Sequence, residues 1–186
     1  QTLMDDDCYL PWNRRKQYAL SLKANLKASK GDPEPLRNGI ERNLDKQENG
    51  WIGQAGEFIE YQLDKMQKIT KIRIIFDSDL NRMIRKKRLS ADQVNGNGDP
   101  AASATRDMWC NYPLHAKPKT VPETMVKAFR VEAKDATGNW NVIYKETNNY
   151  QRLVRILLNV KTQAIRLIPE STWGSKECHI FAWDIK

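Results

Sequence analysis

Apolar and polar residues alternate with a period of two along most of this chain. Leu22, Ala24, Leu26 and Ala28 alternate with Lys23, Asn25, Lys27 and Ser29, the pattern of a strand with one buried face. Gly31-Asp32-Pro33 and Pro35 stop it, because proline cannot donate to a ladder. The same period recurs at Ile59, Tyr61 and Leu63, and again at Ile72, Ile74 and Phe76. Phe129, Val131 and Ala133, then Trp140, Val142 and Tyr144, flank a Thr137-Gly138-Asn139 turn, which predicts a hairpin over 126–145. Leu153–Val160, Ala164–Ile168 and His179–Ile185 complete the set. About eight short strands with turn signals between them, and almost no helical period, predict an all-β antiparallel sandwich.

Two stretches break this rhythm. Residues 1–21 read as a connecting arm: Asp5-Asp6-Asp7, then Cys8-Tyr9-Leu10-Pro11-Trp12, then Arg14-Arg15-Lys16. Residues 80–124 read as one long insertion in the sandwich of residues 22–186, too long for an ordinary connection and serving as a binding loop or a packed flap.

Composition narrows the class. The chain is 40% apolar and 29% charged, proportions of a folded globular protein and not of a disordered one. Its longest apolar run is four residues, Ile180–Trp183, against the roughly 20 that a spanning helix needs. Gln1 opens neither a basic n-region nor an apolar h-region, so the expectation is a chain whose leader was removed or which begins inside a longer protein. A net charge of +8 helps an acidic partner approach. Cys8, Cys110 and Cys178 lack any C-x-x-C spacing, which excludes a zinc ribbon; buried free thiols are favoured over one disulfide.

Catalytic chemistry is thin. Gly96-Asn97-Gly98-Asp99-Pro100-Ala101 matches a dinucleotide fingerprint in letters, but no strand precedes it and no βαβ unit follows. The basic run Arg82, Arg85, Lys86, Lys87 and Arg88 lacks interleaved aromatics and reads as a solvated face, so no nucleic-acid partner is expected. Cys178 and His179 are neighbours in a strand and point to opposite faces, which argues against a dyad. Asp77-Ser78-Asp79 fails the EF-hand template, having Arg82 and Arg88 where glycine and glutamate are required.

The order of the strands resembles the discoidin, or coagulation-factor type C, galactose-binding-like fold. The residues that carry the resemblance are Leu26-Lys27-Ala28-Ser29, Arg37-Asn38-Gly39, Trp51 and Phe58–Asp64, then Ile69–Ile74, Phe129–Ala133 through Gly138 and Trp140, Ala164-Ile165-Arg166-Leu167 and Phe181–Ile185. A jelly-roll-like sandwich is what this implies. The strings Asp5–Trp12, Phe76–Arg82 and Asn148–Arg152 are similar to the C-terminal region of bacterial FAD-dependent oxidoreductases. That resemblance implies a non-catalytic accessory domain, without cofactor of its own, docking on the catalytic domain of a parent that binds FAD elsewhere. A signal peptide on the missing part would place the parent in the periplasm or cell envelope. The alternative is a carbohydrate-binding module using loop aromatics, with Trp51, Trp109, Tyr112 and Trp173 as stacking platforms and Trp140 and Trp183 in the core. The resemblance further implies structural calcium at Asn38 and Asp184, weakened because Asn38 replaces the family's aspartate. For binding of either kind the candidate contacts are Asp79, Arg82, Trp109, Tyr112, His115 and Trp173.

Overall fold

The computed structural model describes residues 16–43, 48–79 and 120–186. By contacts the chain divides into two units, Gln1–Ser78 with Glu123–Lys186, and Asp79–Pro122. Only Asp79 and residues 120–122 of the second are described, so the architecture below is that of the first.

A short helix, α1 (Ala19–Lys23), precedes seven strands. They are β1 (Asn25–Ala28), β2 (Trp51–Gln54), β3 (Ile59–Phe76), β4 (Val126–Lys134), β5 (Trp140–Glu146), β6 (Leu153–Thr172) and β7 (Glu177–Ile185). All pairings are antiparallel. The registers resolve them into two layers. The first half of β3 pairs with β1 and with residues 164–167 of β6, whose second half continues to β4 and then β5. The second half of β3 pairs with β7 and with residues 153–162 of β6, and β7 continues to β2. Thus β3 and β6 each run through both layers, with the register shifting between Gln62 and Gln67.

Side chains from the two layers meet between them. Tyr61 stands 4.7 Å from Trp183 between ring centroids, and its hydroxyl donates to the Trp183 carbonyl at 2.8 Å. Phe76 meets Phe129 at 5.2 Å. Around these pairs lie Ile59, Ile69, Ile72, Ile74, Ile165 and Leu167, all fully buried, which is the inward half of each period-two segment.

Several expectations change. Strand β1 starts at Asn25, because residues 19–23 coil into α1 and leave Leu22 exposed. Ser21 holds that turn by donating to the Ile185 carbonyl and accepting from the Ile185 amide. The segments read as separate strands at 59–63 and 72–76 are one strand, as are 153–160 and 164–168. Trp51 is no loop platform: it opens β2, is buried in the core and donates its indole N–H to the Lys30 carbonyl at 2.7 Å. Trp140, expected in the core, is half-buried, with the Arg166 guanidinium 4.2 Å from its ring centre. The 126–145 hairpin forms as expected. Its turn is organised by Asp135, whose carboxyl is held down at about 2 by the Thr137 hydroxyl, the Asn139 amide and the Asn141 side chain.

The solvent face of the five-stranded layer carries a charge ladder. Glu132 accepts from Arg130 at 2.7 Å and from Arg166 at 2.6 Å, and Arg130 also reaches Glu170. Burial pushes the Glu132 carboxyl up, but these two guanidinium bonds outweigh it and hold the carboxyl below its usual range. A depressed carboxylate contributes stability above its unfolded value, near 4.3, and loses it as pH falls through the folded value. Glu132→Gln is therefore expected to lower the urea midpoint at pH 7, by a deficit that shrinks as pH falls through the folded carboxyl's value. A deficit that persists undiminished at pH 3 overturns the assignment.

Candidate functional site

The end of β3, the start of β4, the 147–152 turn, the end of β6 and the start of β7 converge at one end of the sandwich. Backbone bonds tie them: Phe76 N–H to the Arg152 carbonyl, Asp77 N–H to that of His179, Asn149 N–H to that of Lys127, and Trp173 N–H to that of Met125.

Asn149 is the hub of one half of this end. It is buried, and its side-chain amide donates to the Val126 and Gln151 carbonyls while its oxygen accepts the Gln151 amide. Its own carbonyl accepts the Trp173 indole N–H at 2.7 Å. That bond fixes the tryptophan ring, half-buried, with the Lys127 ammonium 4.7 Å from its centre. Beside the ring opens a depression of about 350 Å³, lined by Ala55, Glu170, Thr172, Ser175, Lys176 and Trp173. It offers one aromatic ring with carboxylate, hydroxyl and ammonium groups around it. Tyr150, next to the hub, is 66% exposed.

The other half is a latch. His179 is buried, with Nδ1 2.9 Å from Asp77 Oδ2 and Nε2 2.6 Å from the Asn49 carbonyl. Asn49 in turn receives Asn38 Nδ2 at 2.5 Å and donates to the Ile40 carbonyl at 2.9 Å. Arg152 donates to the Glu41 carbonyl and lies over Phe181. Two side chains from β7 and the 147–152 turn thereby hold the loop that leads into β2. Gly50 makes this close approach possible: it has φ +89°, and a Cβ there would meet the Ile180 carbonyl oxygen at 2.3 Å.

Of the candidate contacts, Trp173 stands at this end. Asp79 follows β3, half-buried with a left-handed backbone, φ 51°. Arg82, Trp109, Tyr112 and His115 lie outside the described residues, as do Cys8 and Cys110. Cys178 is a free thiol in the core, pushed up to about 11 by burial and by the nearby Glu57 carboxylate. His179 points away from it, as the alternation requires.

For calcium, the fit of Asn38 and Asp184 is poor. Asn38 Oδ1 accepts the Ile40 amide and its nitrogen goes to Asn49. Asp184, fully buried, receives the Arg73 guanidinium at 2.8 and 2.9 Å. A cation beside a guanidinium is disfavoured, and among the described residues no three His, Cys, Asp or Glu side chains form a metal cluster.

The latch partners of His179 and the Asn149 hub were not singled out from sequence. Asp77 and His179 are 102 residues apart, and only the β3–β7 pairing joins them.

No family model and no curated protein matches this chain. Solved structures do match in fold. The family 32 carbohydrate-binding module of Streptococcus pneumoniae EndoD aligns at TM-score 0.54 and 16% identity, covering 88% of this chain and 94% of that one. The corresponding module of C. perfringens NanJ, in complex with galactose, aligns at 0.54 and 9%, covering 89% and 94%. That of AlyQ, in complex with 4,5-unsaturated mannuronic acid, aligns at 0.53 and 11%, covering 87% and 93%. The chain has the galactose-binding-like β-sandwich fold.

Proposed function

We propose that this domain is a non-catalytic carbohydrate-binding module whose ligand enters the depression beside Trp173. The observation that carries the reading is the combination at that point: an indole fixed by Asn149, next to Glu170, Thr172, Ser175 and Lys176. An aromatic surface covers the apolar side of a sugar ring, while the surrounding polar groups exchange hydrogen bonds with its hydroxyls. The fold is compatible, since the modules of NanJ and AlyQ carry galactose and an unsaturated mannuronic acid on the same sandwich.

Isothermal titration with galactose and with a uronic acid tests it. Binding of at least one is expected, with Trp173→Ala weakening it by about tenfold or more. Because Trp173 also bonds Asn149, Lys176→Ala serves as the companion: it should weaken binding with the melting temperature unchanged. Failure of both sugars to bind, or binding indifferent to both variants, overturns the proposal.

The accessory role in an FAD-dependent oxidoreductase is the second reading, supported by the 76–82 and 148–152 strings. The second string builds the Asn149 hub and the Arg152 latch, so it occupies a working position in the fold.

A further inference from the structure

The first half of β6 is an edge. Residues 153–162 pair with β3 on one side, β4 joins only from residue 165 onward, and among the described residues no strand pairs with the other side. Its outward side chains are Leu153, Arg155, Leu157, Asn159 and Lys161, of which Leu157 is 80% exposed and Leu153 38%.

This strip is one-signed. Neither 65–76 nor 147–169 contains an aspartate or glutamate, although together they hold eight lysines and arginines. Register places like charges face to face, Lys68 opposite Lys161 and Arg73 opposite Arg155, while Lys71 faces Leu157. Directly opposed like charges destabilise a pair of strands. Asp184 neutralises Arg73 and Glu132 neutralises Arg166. Lys68, Lys71, Arg155 and Lys161 have no ion-pair partner among the described residues.

We propose that this edge receives an extended acidic polypeptide segment from a partner, which adds a strand beside β6. Three properties select that occupant. The open edge offers backbone N–H and C=O groups in a row, which an extended peptide matches. Arg155 and Lys161, six residues apart on the outward face of β6, suit two carboxylates about 20 Å apart along an added strand. Leu153 and Leu157 on the same face call for apolar side chains between those acids, which a polysaccharide or nucleic acid lacks. A second copy of this edge is disfavoured as partner, since it would bring together two strips that carry the same unpaired positive charges. The proposal is independent of the sugar site, which lies at the loop end.

A fluorescein-labelled peptide with glutamates six residues apart and valine at the same-face positions between them, with lysine in place of glutamate in the control, supplies the probe. Anisotropy should show saturable binding of the acidic peptide alone, weakening as salt rises. Amide hydrogen exchange should slow within residues 153–161. Arg155→Glu with Lys161→Glu should weaken binding by about tenfold or more, and Leu157→Ser should weaken it at unchanged salt dependence. All of these sites are exposed, so circular dichroism of the variants should match the parent. Absence of binding, indifference to charge reversal, or dextran sulphate binding as tightly as the peptide without slowed exchange at 153–161 overturns the proposal.

Discussion

Gly50→Ala is expected to be strongly destabilising, because it combines a left-handed backbone with a clash against backbone atoms. The residue sits at φ +89°, where an alanine is strained by about 1–2 kcal/mol before any contact is considered. Its new Cβ would lie 2.3 Å from the Ile180 carbonyl oxygen and 3.0 Å from Phe181 Cα, both backbone atoms that cannot rotate away. Relief requires separating β2 from β7, which pair at Trp51 with Ile180. A total near 4 kcal/mol, or a melting temperature lower by about 10 °C, is the expected result by thermal denaturation. The loop that ends at Gly50 also supplies the Asn49 carbonyl to His179, so the latch should open at the same time. A loss under about 1 kcal/mol would mean that the backbone yields at this point.

Arg73→Ala comes second. Arg73 and Asp184 face each other across β3 and β7, with the carboxylate fully buried and the guanidinium side chain 15% exposed. Removing the arginine takes one guanidinium from a buried carboxylate, which costs up to about 3–5 kcal/mol. Arg73 also donates to the Lys16 carbonyl and lies 4.9 Å from the Tyr18 ring, so residues 16–18 lose one of their anchors. The informative companion is Arg73→Met with Asp184→Leu. Replacing both partners with apolar groups should restore most of the loss in a chemical denaturation experiment, because the cost lies in a buried carboxylate left undercompensated and not in the absent attraction. If the double variant is as unstable as Arg73→Ala, packing by Arg73 dominates instead.

Strand content was legible wherever one face is buried and the other wet. β4, β5 and β7 fall where the period places them, and the Thr137-Gly138-Asn139 turn announces its hairpin. What the period could not show is continuity. Residues 64–68 carry Asp64, Lys65, Gln67 and Lys68, and 161–163 carry Lys161, Thr162 and Gln163, because the chain there passes from one layer to the other. A polar interruption of that length looks like a loop when read locally. Tryptophans were ambiguous for a different reason. An indole is apolar enough for the core and polar enough for a surface, and only the partner decides: Lys30 inside for Trp51, Asn149 at the rim for Trp173, Arg166 outside for Trp140. Trp173 could be named from its loop position. Its support could not, since Asn149 lies 24 residues away and Asp77 meets His179 across 102.

The two strands that pass through both layers have a consequence for how the domain fails. In a sandwich whose layers are joined only by loops, one sheet can fray while the other persists. Here β3 and β6 belong to both, and their mutual pairing is the spine from which β1, β7 and β4 branch. Neither layer is a separable cooperative unit, because releasing either strand dismantles both sheets at once. The rim that carries Trp173 therefore depends on both termini of the same strand: the β6 that ends beside the indole begins at Leu153, directly after the turn that carries Asn149.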